Sequence, residues 1–390
     1  MSHARIALSW SLGQFHGWGI YGLNLVFAML RHTLQPLLLR PPARLALNPL
    51  EIRALLPVLE HSRETIAFLH HNPDKTIRDP GTLLLHHTNG AFEFAPVPFS
   101  GGTTIGITFF ESTRLASNQI DYARELPLVV TGSRWNAAVL TERYGLANVA
   151  CLMQGIDSAL FYPAPSRNLL PGRFVIFSGG KLEFRKGQDL VIAAFARFHA
   201  RHPHAFLLTA WNNHWLDEGA RFSARHVADL PTSNDINAWL ARYLPADSFM
   251  DVGEIPNPMT PAILREAHVG LFPNRCEGGT NLVAMECMAV GLPVILADNT
   301  GHKDLIDPER CYPLTRQSPC THPASGARLD DWGESSVEEI VALLEEIHDR
   351  HTTATRRGEK ASRFIREYSW QRQCDRFLEL AAPYSTLSTS

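Results

Sequence analysis

Apolar positions along the chain switch repeatedly between two periods. In "RIALSW" Ile6, Leu8 and Trp10 keep the two-residue repeat of a strand, and in "IYGLNLVFAMLRHT" Leu23, Phe27 and Leu30 recur at helical spacing. "GTLLLHHTNG" and "TTIGITFFEST" read as strands ending in polar loops, "PLVVTGS" as a short buried strand and "VACLMQG" as another. "RWNAAVLTERYG" reads as a helix stopped by its glycine. Prolines cluster and periodicity vanishes in "DSALFYPAPSRNLLPGR" (157–173), the expected linker. The pattern then restarts with strand "FVIFSGG", loop "KLEFRKG", helix "QDLVIAAFARFHARH" and strand "AFLLTAW". Next come a short helix "AILREA", strand "VGLFP", helix "NLVAMECMAV" and strand "LPVILAD". The charged run 336–368 reads as helical throughout and "SWQRQCDRFLELAAPY" as a final helix, whereas 212–250 follows neither period. Strands alternating with helices in both halves predict an α/β fold of two Rossmann-like parallel-sheet domains. The expected domains are 1–165 and 166–369, with the C-terminal helix 370–390 rejoining the first.

Composition agrees. A chain of 390 residues exceeds one core, and 45% hydrophobic with 19% charged residues is the profile of a soluble globular protein. The net charge of -3 supplies no basic field, so nucleic acid is not an expected partner. Six cysteines without a CxxC pair read as reduced thiols in a cytoplasmic protein. "MSHARIALSW" enters a strand pattern at once, so no signal peptide is expected, and no apolar run approaches the ~20 residues of a membrane span. The Arg-spotted segment 30–56 reads either as an ordinary helix with a solvated face or as a peripheral contact with the inner face of a membrane.

Candidate chemistry gathers in "FPNRCEGGTNLVAMECMAVGLPVI" (272–295), which sets two carboxylates, Glu277 and Glu286, beside a glycine loop. Three loops follow strands and open helices: "HGWG" (16–19), "GGKLEFRKG" (179–187) and "EGGTN" (277–281). Glycine lets backbone N–H groups approach a ligand, and a helix N-terminus favours an anion. Lys181, Arg185 and Lys186 add three cations to the second loop, so a diphosphate is its natural occupant. One such loop alone reads better as a solvated turn; three in one α/β chain point to a phosphorylated ligand. Acids cannot contact phosphates, but they accept hydrogen bonds from sugar hydroxyls on either side of them. Glu277 is placed to reach one such sugar and Glu286 another, and a nucleoside diphosphate sugar has a hexose on one flank of its diphosphate and a ribose on the other. The sequence has no Asp-x-Asp pair, and neighbours such as His70–His71 and His86–His87 on a strand would point to opposite faces, so neither pair chelates a metal as it stands. His87, at a strand's C-terminal end, stays a weak candidate for the cleft. No GxGxxG follows the first strand, which disfavours a dehydrogenase.

These residues resemble the retaining glycosyltransferases of family 4, whose GT-B fold has two Rossmann-like domains facing each other across a cleft. "GWGIYGLNLVFAML" resembles the family's first glycine loop and helix, and "GGKLEFRKGQDLVIAAF" its phosphate loop. "VVTGSRWNAAVLTERYGLANVACLMQGIDSALFYP" resembles the stretch ending at Gly155, Ile156, Asp157, Phe161 and Pro163, and "EGGTNLVAMECMAVGLPVI" the two-glutamate motif. The resemblance implies that Lys181 and Lys186 hold the diphosphate, with Gly180 and Arg185 beside them. It implies Glu277 on the donor hexose, Glu286 on the ribose, and Gly279, Thr280, Asn281 and Leu282 against phosphate or sugar. Gly17 and Gly19 would line the cleft from the other domain. It further implies transfer from a UDP- or GDP-sugar to a glycan, lipid-linked or small-molecule acceptor, with no metal and no cofactor. Four departures stand out. Eight residues separate Glu277 from Glu286, one more than the family pattern. Lys181 stands where Arg is common, Gln154 where Asn is common, and Glu111 where many members have His. Glu111 is expected either to face a substrate or to be a structural carboxylate. A nucleotide-sugar epimerase of the same fold and a non-catalytic nucleotide-sugar binder are the alternative readings, and base recognition is expected near Val252–Met259.

Overall fold

The computed structural model describes residues 5–212, 225–227, 235–322 and 325–385. It divides into two compact units. The first holds Met1–Asp157, Pro256–Pro258 and Tyr368–Ser390, and the second Ser158–Ile255 with Met259–Glu367. The Pro-rich stretch expected as a linker therefore belongs, from Ser158 onward, to the second unit. Its Ser166 hydroxyl and the N–H groups of Arg167 and Leu169 all donate to the carboxylate of Glu266, at 2.8–2.9 Å.

In the first unit the chain runs β1 (Arg5–Leu8), α1 (Gly17–Arg31), β2 (Gln35–Leu38), α2 (Pro49–His71), β3 (Ile77–His87) and β4 (Phe99–Thr108). It continues through α3 (Ser117–Glu125), β5 (Leu128–Thr131), α4 (Arg134–Ala138) and β6 (Val149–Cys151). All six strands are parallel, in the order β2-β1-β3-β4-β5-β6. The segment 30–56, expected to be one helix, contains strand β2 and opens α2. Asn48 Oδ1 accepts from Leu50 N and Glu51 N while Glu51 Oε2 accepts from Asn48 N, a capping box that starts α2 at Pro49. His70–His71 ends that helix rather than lying on a strand, and both side chains are exposed.

The second unit runs β7 (Phe174–Lys181), α5 (Gln188–His199), β8 (Ala205–Asn212), α6 (Ile236–Leu240), β9 (Phe249–Asp251), α7 (Thr260–Leu264) and β10 (Val269–Phe272). Then come α8 (Leu282–Ala289), β11 (Val294–Ala297), β12 (Tyr312–Leu314), the hairpin β13 (Gln317–Thr321) and β14 (Arg328–Ser335), α9 (Val337–Asp349) and α10 (His351–Ile365). Its six-stranded parallel sheet has the order β12-β11-β10-β7-β8-β9. Helix α11 (Trp370–Ala381) belongs to the first unit. The 336–368 run, expected to be continuous, breaks at Arg350, whose non-helical backbone (φ -118°, ψ 46°) separates α9 from α10. Strands β7, β8, β10 and β11 are apolar nearly throughout because helices cover both faces, and Val175, Ile176, Phe177, Leu207, Leu271, Ile295 and Leu296 are fully buried.

Candidate functional site

In each sheet the winding reverses once, and a ligand of such a sheet lies outside the strand C-termini at that reversal. In the second unit the reversal falls between β7 and β10. The loops leaving those strands are the ones that carry Lys181, Arg185, Lys186 and Glu277.

The β7 loop is shaped by glycine. Gly180 has φ 134°, and Gly187, at φ 71°, lies so close to Pro273 that a Cβ would sit 2.5 Å from its carbonyl oxygen. Between them Phe184–Lys186 form one 3-10 turn. Arg275 N donates to Arg185 O at 2.6 Å, so the two loops are tied through their backbones.

Glu277 is 5% exposed and sits among cations. Lys186 Nζ and Asn274 Nδ2 both donate to its Oε1, and Arg185 Nη1 donates to Oε2 at 3.2 Å. Arg185 Nε also meets Glu183 at 2.6 Å. Burial alone would raise the Glu277 carboxyl, but Lys186, Arg185 and His302 bring it down to about 2. The group is therefore ionised at every physiological pH. Glu183 behaves alike: burial raises it, and Arg185, Lys181 and Lys186 hold it below the usual range.

From Glu277 the chain passes through Gly279 and Thr280 to Asn281, whose left-handed backbone (φ 63°) turns it into α8. Asn281 Oδ1 caps that helix from Ala284 N at 3.4 Å, and Thr280 Oγ1 donates to Met285 Sδ at 2.9 Å. Leu282 is the first residue of α8. Glu286 is 3% exposed, between Met285 and Cys287 in the helix's second turn. The loop is also pinned from behind. Gly301 N donates to Glu277 O at 3.0 Å, and Glu277 N donates to Thr300 Oγ1 at 2.9 Å.

Sequence reasoning missed three parts of this arrangement. Arg275 is completely buried. It grips Asp189 with Nη1 and Nη2 at 2.8 and 2.9 Å, Glu334 with Nε at 3.0 Å, and Phe184 O with Nη1 at 2.8 Å. One cation thus joins the Phe184–Lys186 turn, the start of α5 and strand β14. Nothing in "PNRCEGG" sets this arginine apart from an ordinary loop cation. The β13–β14 hairpin that supplies Glu334 was not foreseen either.

His302 is the third. Its Nδ1 lies 3.2 Å from Ala297 O, which fixes the proton there, so Nε2 accepts from Asn281 Nδ2 at 3.1 Å. Burial lowers its pKa to about 4 against the pull of Glu277. The unfolded chain, with the ordinary value of 6.5, takes up a proton that the folded chain refuses. Stability is therefore expected to fall by about 3 kcal/mol as pH drops from 6.5 to 4. Urea titrations at pH 7 and pH 4.5 check this, and His302→Gln should remove its share of the difference while that of the similarly buried His87 stays. Any loss assigned to Glu277 comes in a lower window, between its ordinary 4.5 and about 2.

The remaining sequence candidates lie in the first unit. Gly17 and Gly19 open α1, where a Cβ on Gly19 would sit 2.7 Å from Gly13 N. The second glycine is thus required by backbone packing within its own loop. At this sheet's reversal, between β1 and β3, Ser9 Oγ accepts from His87 N at 3.0 Å and lies 2.8 Å from His87 Nδ1. The His87 ring sits beside Trp10 and Trp18, with centroids 5.8 and 5.3 Å away. Burial lowers it to about 4, so it is neutral at pH 7. His86 points elsewhere, to Tyr122 OH and Ala95 O. Glu111 follows β4 half-buried, its backbone N–H on Gly90 O at 2.8 Å and its carboxylate over Gly90. Among the described residues no cluster of three His, Cys, Asp or Glu is arranged to hold a metal ion, and no helix is long and apolar enough to cross a membrane.

Two reversed parallel sheets, one bearing this cationic loop, make a GT-B fold. It is shared across 99% of this chain and all of the other by a sucrose-phosphate synthase from Thermosynechococcus elongatus (TM-score 0.67, 15% identity). It is also shared across 98% of the chain by all of Anabaena Alr3699/HepE, solved in complex with UDP-glucose (TM-score 0.67, 12% identity). Residues 165–311 match the family described as "Glycosyl transferases group 1", and 259–377 match "Family 4 Glycosyltransferase in conflict systems". Together the two matches span residues 165–377, and this part of the chain belongs to the group 1 glycosyl transferases, glycosyltransferase family 4. Glycogen synthase of Mycobacterium tuberculosis is 25% identical over 254 residues, 64% of this chain. The chain spans about half the length of the curated relatives it matches, 52% and 54%.

Proposed function

We propose that the chain transfers a sugar, with retention at the anomeric carbon and without a metal, from a nucleoside diphosphate sugar to an acceptor hydroxyl. The observation that carries this is the convergence of Lys186, Arg185 and an ionised, buried Glu277 on the loop that opens α8, with Glu286 buried in that helix. Lys181, Lys186 and Arg185 neutralise the diphosphate and the charge growing on it as the glycosidic bond breaks, and stabilising that charge is the main catalytic effect. Glu286 accepts from the ribose and Glu277 from the hexose. The same cations and the two helix starts supply the positive charge a divalent ion gives elsewhere. No enzymic nucleophile is assigned; the acceptor attacks on the leaving-group face and its proton passes to the departing phosphate. The relative solved with UDP-glucose supports a UDP-sugar donor. All six cysteines are free, which supports a reducing, cytoplasmic setting, with acceptors that are sugars, glycans or lipid-linked.

A thermal-shift screen of UDP, GDP, ADP and their sugars tests the binding half. A ligand at a hundred times its Kd adds about 2.7 kcal/mol to stability. NMR of the anomeric proton in the product tests retention. No shift with any of these nucleotides, or an inverted product, overturns the reading. Donor isomerised without acceptor indicates an epimerase, and binding without turnover a non-catalytic binder.

A further inference from the structure

The inference rests on the reading above, that the reversal point of the second unit seats a nucleoside diphosphate. Without ligand, the cations that would hold it are already occupied. Lys186 is on Glu277 Oε1, and Arg185 is shared between Glu277 Oε2 and Glu183. The side chains of Lys186, Arg185, Glu183 and Glu277 are only 12%, 17%, 15% and 6% exposed, so solvent and salt screen these pairs little. A diphosphate arriving here displaces a carboxylate and leaves it buried beside its own negative charge. Uncompensated buried charge is strongly unfavourable.

We propose that Glu277 is a built-in counter-anion that makes the site discriminate between intact donor and spent nucleoside diphosphate. With the intact donor, hexose hydroxyls donate to the carboxylate oxygens that Lys186 and Arg185 vacate, and hydrogen bonds to an ionised acceptor are the stronger kind. Once the hexose has left, those oxygens have no hydroxyls and face the terminal phosphate, and like charges brought together select against that partner. Glu277 then retakes Lys186 and Arg185 as the diphosphate leaves. The residue thus favours donor over product by repulsion as well as by attraction.

Isothermal titration of UDP, UMP and UDP-glucose, with the GDP series in parallel, into the full chain tests this. Glu277→Gln removes the charge but keeps an oxygen for Asn274 and Lys186. It should tighten UDP by about tenfold or more, equivalent to about 1.4 kcal/mol, while UDP-glucose gains less or weakens. In a Lys186→Met background the UDP gain should shrink below about threefold, which a general change in folding would not produce. UDP bound equally or more weakly by Glu277→Gln overturns the inference. Should that variant not fold, the wild type decides. A gain of less than about tenfold from UMP to UDP supports the counter-anion, and a larger gain overturns it. If no nucleotide of either series binds the wild type, the functional reading itself fails, a result distinct from either outcome above.

Discussion

Replacing Arg275 by alanine is expected to destabilise the protein by about 3–5 kcal/mol, the cost of removing one partner from a buried ion pair. The size follows from what would be left behind. Asp189 has no exposed surface and, among the described residues, would keep the backbone N–H groups of Arg225 and His226, at 2.9 and 3.3 Å. Phe184 O would lose its guanidinium donor, and Glu334 would retain its contacts with Arg225 and His226. Urea unfolding of wild type and variant measures the loss, and a change under about 1 kcal/mol would remove Arg275 from this role. The double variant Arg275→Met, Asp189→Asn should recover much of the stability, because two neutral groups leave no orphaned charge. Because Arg275 also holds the turn before Arg185 and Lys186, donor affinity should suffer even in variants that still fold.

Lys186→Ala is expected to lower turnover at saturating donor by about a hundred- to a thousandfold, or ~2.7–4 kcal/mol, by analogy with losing a preorganised donor to a developing anion. The lysine is placed for this by Gly187, whose left-handed backbone closes the turn, and by the ion pair with Glu277. Steady-state kinetics with the donor found in the nucleotide screen give the number. Turnover within a few-fold of wild type would assign the leaving-group charge to Lys181 or Arg185 instead.

The sequence showed most of the central strands because both sheets are covered on both faces, so their residues stand out as apolar runs. Strand β2, "QPLL", was lost because four residues with a proline show no period. The β13–β14 hairpin lies outside both parallel sheets, and its "RLDDWGES" is mostly polar. At the site, glycines, lysines and glutamates were legible because their chemistry is local: a glycine loop and a nearby cation announce themselves within a few residues. The groups that hold them were not. Asp189, Arg275 and Glu334 meet across separations of 59 and 86 residues, and His302 reaches Asn281 across 21. Nothing in a single sequence pairs such positions. Gly19 reads differently for the same reason: its close neighbour is Gly13 backbone, which only the folded loop reveals.

The return of α11 to the first unit sets an order of assembly. Ile156 N donates to Tyr368 O and Trp370 N to Ile156 O, both at 2.9 Å, and Tyr21 rests against the rings of Trp370 and Phe377. A ribosome delivers those last residues only after the whole second unit has been made. The second unit can thus mature during synthesis, while the first waits, with part of its apolar surface open, for α11. Chaperone dependence, where it exists, should attach to that waiting half.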